Sequence, residues 1–122
     1  MKVFLNITNH PSDKWSKEQL EASKELGEKV RDYQFPNIAS DISDEELNSL
    51  VNKVVDAVMN EKTDAVLVQG EMVFTYRLVK KLSKNNIRCY AAITERVAEE
   101  KTNEDGSTTK VAIFKFRGFR EY

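Results

Sequence analysis

Ala65-Val66-Leu67-Val68-Gln69-Gly70-Glu71 decides the fold of this chain. Four consecutive apolar residues with no polar break read as a strand buried on both faces. Gly70 ends the run. Phe74, Leu78, Val79 and Leu82 then recur at helical spacing. A buried strand that passes into a helix in this way is half of a βαβ unit.

The same alternation extends outward. Upstream, Lys2 to Thr8 reads as a first buried strand, ended by the turn residues Asn9-His10-Pro11-Ser12-Asp13. A helix follows, roughly Ser16 to Leu26, with Ser16 and Gln19 forming a capping box and Trp15 and Leu20 a hydrophobic staple. Gly27 is its stop. Val30 to Phe35 is a second strand, ended by Pro36. Ser43-Asp44-Glu45-Glu46 opens a second helix with another capping box, and Leu47, Leu50, Val51, Val54, Val55 and Val58 carry it to about Asn60. Downstream, Ile87 to Ile93 is a fourth strand. Arg96 to Thr102 and Thr108 to Phe119 read as two further strands joined at Asn103-Glu104-Asp105-Gly106, a hairpin turn. The expected fold is therefore α/β: a single Rossmann-like three-layer domain, with a mainly parallel sheet and a C-terminal antiparallel hairpin. Residues 1–94 form its βα core and 95–122 the hairpin, which completes the sheet or reaches a second subunit.

Composition bounds the function. The chain has 122 residues, 40% of them hydrophobic and 32% charged, with a net charge of −1. That suits one domain and argues against disorder. No apolar run approaches a membrane span, and the N-terminal apolar segment is too short for a signal peptide. One cysteine and one histidine exclude an intramolecular disulfide and a Cys/His zinc cage. A cytoplasmic protein with no metal, no cofactor and no membrane partner is expected. Charge is uneven: residues 1–76 carry 8 Lys/Arg and 14 Asp/Glu, a net −6, whereas residues 77–122 carry 11 and 6, a net +5. Charge runs usually solvate surfaces, yet this asymmetry also suits an anionic ligand. The chain as a whole is too acidic to hold duplex nucleic acid by bulk charge.

Ligands of open α/β sheets bind outside the carboxyl ends of the strands. Four segments should meet there: Thr8-Asn9-His10-Pro11-Ser12, Phe35-Pro36-Asn37, Gln69-Gly70-Glu71 with Thr75 one turn on, and Thr94-Glu95-Arg96. His10 is the side chain expected to titrate near neutrality, as acid or base, although a hydrogen-bonded loop residue has the same appearance. Gly70 permits close backbone approach to a ligand or merely a tight turn. Glu71 is a base or a partner of the helix dipole. Arg96 is a phosphate clamp or a surface ion pair. Phe114, Phe116 and Phe119, interleaved with Lys115, Arg117 and Arg120, suit base stacking, but core or dimer contacts are favoured. No GxGxxG, GxxxxGK[ST] or GxSxG occurs, so dinucleotide, P-loop and hydrolase-elbow chemistry has no support.

The Thr8-Asn9-His10-Pro11, Gln69-Gly70-Glu71 and Ala91-Ala92-Ile93-Thr94-Glu95-Arg96 segments, in this layout, resemble small CRISPR-associated proteins of the CARF-like, Rossmann-like group. Some of these are stand-alone ring nucleases, which degrade the cyclic oligoadenylate messengers of type III systems. The resemblance implies a homodimer that binds cyclic tetra-adenylate and cleaves it without a metal, by attack of a ribose 2′-hydroxyl. On that basis His10, Glu71 and Arg96 would be catalytic. Thr8, Asn9, Ser12, Asn37, Gln69, Gly70, Thr75 and Thr94 would contact the ligand. A non-catalytic nucleotide-binding or protein-interaction module on the same fold is the alternative.

Overall fold

Two strands of the sheet are buried from end to end, as their apolar sequences require. They are β1 (Val3–Ile7) and β3 (Ala65–Val68). The computed structural model describes residues 2–122. Around this centre lie β2 (Lys29–Asp32), β4 (Arg88–Thr102) and β5 (Thr108–Glu121), in the order β2-β1-β3-β4-β5. The first four strands are parallel neighbours, and β5 runs antiparallel to β4. The helices are α1 (Lys17–Ser23), α2 (Asp44–Met59) and α3 (Met72–Lys84), with a 3-10 turn at Ser12–Lys14.

Strand alternation divides the core into two layers. Leu5, Ile7, Val66, Val68 and Cys89 face α2 and α3, where they meet Val51, Val54, Val58, Phe74, Leu78 and Leu82. Phe4, Ala65, Leu67 and Tyr90 face the other way and meet Trp15, just before α1. Each large apolar side chain buried here contributes roughly 1.5–3 kcal/mol. The fold is thus the expected α/β domain, mostly parallel with an antiparallel C-terminal pair.

Several local expectations are corrected. The first helix ends at Ser23, not Leu26. Gly27 is needed because a Cβ there would lie 2.5 Å from Phe4 N, a close approach to β1. Trp15 packs on Phe4 and Phe119, at 6.4 and 6.2 Å between ring centroids, and Leu20 is exposed, so the staple does not form. β2 ends at Asp32, because Phe35 turns into the core against Phe74.

The largest correction concerns Thr94-Glu95-Arg96. These residues do not end a strand. β4 runs unbroken from Arg88 to Thr102, its last pairing with β3 is Leu67↔Tyr90, and beyond that it continues with β5 as a two-stranded arm. A bulge falls at Ile93/Thr94, where Thr94 pairs with Phe116 and Arg117 is left extra. It lies next to the place where the ribbon leaves the sheet. Bulges sharpen the twist and re-aim side chains at such places.

Candidate functional site

From β1 the chain moves outward to β2 and then returns to the opposite side for β3. The loops after β1 and β3 therefore part, and a crevice opens between them at the carboxyl edge. A groove of about 730 Å³ lies there. Thr8, Asn9 and His10 enter it from the end of β1, Gln69 and Gly70 from the end of β3, and Thr94 from β4.

The loop after β1 is held by a buried polar knot. Asn6, 1% exposed, donates from Nδ2 to His10 O at 2.9 Å and to Asp32 Oδ1 at 3.0 Å. The Thr8 hydroxyl donates to Asn6 Oδ1 at 2.8 Å and accepts from His10 N–H at 3.1 Å. Trp15 Nε1 donates to His10 O at 3.1 Å. The backbone of His10 is thereby fixed on several sides. Its imidazole bonds to nothing among the described residues, and His10 lines the groove.

Gln69 extends the β3–β4 ladder with its side chain: Oε1 accepts from Ala92 N–H at 3.0 Å and Nε2 approaches Ala92 O at 3.4 Å. Gly70 fits under Phe35, because a Cβ would stand 2.3–2.6 Å from three ring atoms. That glycine answers to core packing. Close approach to a ligand is not needed to account for it.

The remaining sequence-derived candidates scatter. Glu71 caps α3, its carboxylate accepting from Phe74 N–H at 2.6 Å, and with Asn37 it lines a neighbouring groove behind Asn9. Its role is the dipole and capping one. Thr75 lies in a third hollow beyond Gly70, with its Oγ1 sealed and unpartnered. Ser12 lines none of these grooves; its N–H donates to Asp32. Arg96 stands on the arm opposite Phe114, two pairs further out than Thr94, and does not line the groove. Glu95 pairs instead with Arg117, at 3.3 Å.

Sequence reasoning missed the wall facing His10. Lys14, Trp15, Ser16 and Gln19 form it from the α1 side, and Phe114 and Phe116 from the arm. Trp15 was read as a staple, and the aromatics as core or dimer contacts. The alternation of the arm places Phe119, Phe116 and Phe114 on one face, opposite Ala92, Thr94 and Arg96. Among the described residues no carboxylate lines the groove, and Lys14 is its one Lys or Arg. Elsewhere, Arg77 and Lys81 on α3 turn to Asp44 and Asn52 on α2, a packing role. Among the described residues no cluster of three or more His, Cys, Asp or Glu gathers to hold a metal, and no helix is long and apolar enough to cross a membrane.

Residues 2–120 match the model of one protein family, described as the uncharacterized protein MJ1673 family. The chain belongs to that family. The match spans the βα core and nearly all of the arm. No curated protein and no solved structure matches this MJ1673-family chain.

Proposed function

We propose that this MJ1673-family protein is a ring nuclease: it binds a cyclic oligoadenylate, cyclic tetra-adenylate first, and opens it without a metal. One observation carries the reading. The groove at the switch point of the sheet has no carboxylate on its walls and combines a fixed cation, Lys14, with an imidazole that no protein group engages. An anionic ring fits such a surface. The chemistry then needs little from the protein, because the nucleophile is the substrate's own 2′-hydroxyl. The 2′-oxygen–phosphorus bond forms as the phosphorus–5′-oxygen bond breaks. A proton leaves the 2′-hydroxyl, and one reaches the departing 5′-oxygen. The products are a 2′,3′-cyclic phosphate and a 5′-hydroxyl on one linear chain.

In this scheme His10 moves the proton, and Lys14 offsets charge on the equatorial phosphate oxygens. Backbone geometry set by Asn6 and Thr8 positions His10. Asn9, Gln69 and Thr94 border the ring. A homodimer, in which each protomer supplies half the contacts, matches the symmetry of a cyclic ligand. Working in the cytoplasm, the protein would end type III CRISPR signalling.

The second reading, binding without turnover, has its own observation. Glu71, the carboxylate expected to serve as base, is committed to capping α3 outside the groove, leaving His10 alone to move protons. Incubation with cyclic tri-, tetra- and hexa-adenylate in EDTA separates the readings. Linear products bearing a 2′,3′-cyclic phosphate, lost in His10→Ala and reduced in Lys14→Ala, support the nuclease. Intact rings that still bind to the wild-type protein support the binding module.

A further inference from the structure

The capping box at the start of α1 is only half made. Ser16 Oγ accepts from Gln19 N–H at 3.1 Å, as the motif requires. The reciprocal bond, from Ser16 N–H to the Gln19 side-chain oxygen, is absent. Gln19 is 8% exposed and lines the groove, yet its side-chain amide bonds to no protein group among the described residues. A buried amide forgoes hydrogen bonds at a cost unless water or a ligand supplies them. Nor is the amide sealed: the one buried side-chain polar atom without access or partner is Thr75 Oγ1. The groove is the opening through which Gln19 is reached.

Across from Gln19 stands the arm. α1 packs against β5, which brings the two walls together. Phe119 meets Trp15 at 6.2 Å and Phe116 at 4.9 Å between ring centroids, so the inner aromatics brace one another. Phe114 continues the same face outward, has no aromatic neighbour, and is 67% exposed. An exposed phenyl ring and an unpaired amide lining the same groove are the combination that reads a flat base: the ring stacks, and the amide pairs with an edge.

From this geometry we infer that the α1–arm end of the groove is an adenine subsite, with Gln19 as the specificity residue and Phe114 as the stacking platform. The Gln19 amide offers one acceptor and two donors. Adenine presents its 6-amino group beside a ring-nitrogen acceptor, and a glutamine amide pairs with that edge through two bonds. Lys14, on the same wall, holds the attached phosphate. The inference rests on the groove being a nucleotide site and adds which residues choose the base.

Calorimetric titration with two rings tests it: cyclic tetra-adenylate and the same ring with purine in place of adenine, lacking the amino groups. Wild-type protein is expected to bind the adenine ring roughly ten-fold tighter, the effect of one lost pairing per base. Gln19→Met keeps the volume and leaves the main-chain cap to Ser16 intact; it should bind both rings equally. Gln19→Ala should do the same if folded as wild type by circular dichroism. Phe114→Ala alters an exposed side chain and should weaken both rings about ten-fold, with the preference retained. A wild-type protein indifferent to the amino groups, or a preference that survives both Gln19 variants, overturns the subsite while leaving a nucleotide groove in place. Failure of either ring to bind any form removes the nucleotide reading itself, and the subsite with it.

Discussion

Gly70→Ala tests whether core packing or ligand approach dictates the glycine at the end of β3. An ideal Cβ at this position falls 2.3, 2.4 and 2.6 Å from three atoms of the Phe35 ring. Real Cβ contacts are far longer, so one side must yield. Phe35 is 4% exposed and meets Phe74 edge-on at 5.2 Å, and Phe74 is fully buried on the inner face of α3. The Phe35 ring would have to shift against Phe74 or toward the groove at Gln34–Ile38 that it lines. Overpacking of a tight core costs about 1–3 kcal/mol, and three simultaneous overlaps put this case near about 3 kcal/mol. At a urea slope of roughly 1.5 kcal/mol per M, the unfolding midpoint falls by about 2 M. Phe35→Leu removes the obstructing atoms at its own cost of about 1–2 kcal/mol. In that background Gly70→Ala should cost less than about 1 kcal/mol, a coupling of about 2 kcal/mol between two touching residues. Urea unfolding followed by circular dichroism on the four proteins gives the cycle. A Gly70→Ala midpoint unchanged from wild type, or a double variant as unstable as the sum of the singles, would refute the reasoning.

Other elements yield further expectations. Asn6→Ala deletes the buried amide that ties His10 O to Asp32 and accepts from the Thr8 hydroxyl; the three lost bonds should cost about 2–3 kcal/mol in urea unfolding and, on the proposed mechanism, slow ring opening through a displaced His10. Burial pushes the Cys89 thiol up to about 12, so labelling by an aromatic disulfide at pH 8 should be roughly a hundred-fold slower in the native protein than in urea, and rapid native labelling would count against a buried β4 root. The Lys2 ammonium, 2.7 Å from Asp64, holds that carboxyl below its ordinary value of 3.8 with help from Arg88. A depressed carboxyl stabilises the fold above that value and loses the contribution as pH falls through its lowered one. Asp64→Asn should therefore flatten the acid side of the stability profile by less than about 1 kcal/mol, since the pair is partly exposed.

Order and type of the elements were legible because β1, β3 and the start of β4 are apolar runs, while α2 and α3 carry a clean helical stripe. The strand order then follows the usual rules for alternating β and α units, and with it the carboxyl-edge crevice. Six of the eleven site candidates share that groove: Thr8, Asn9, His10, Gln69, Gly70 and Thr94. The misplaced ones fail for a common reason. Glu71 and Ser12 satisfy backbone groups or neighbours next to them in space, and a local partner is invisible to an argument built on strand ends. Arg96 fails because nothing in Ile93-Thr94-Glu95 breaks the strand, so β4 passes the sheet edge and carries Arg96 outward. In the sequence, Gln19 has the look of a cap and Phe114 that of a packing residue. Only the half-made capping box and the unpartnered phenyl ring, both three-dimensional facts, distinguish them. Helix capping and a β-arm in the sequence thus conceal a wall of the groove.

The most direct measurement is a map of backbone amide chemical shifts in uniformly nitrogen-15-labelled His10→Ala protein as cyclic tetra-adenylate is added, with turnover blocked. The account predicts shifts concentrated at residues 8–10, 14–16, 19, 69–70, 92, 94, 114 and 116, which line one groove, with the neighbouring groove at Gln34–Ile38 and the outer face of α2 unmoved. Shifts centred on that neighbouring groove or on α2, or no shifts at saturating ligand, would contradict it.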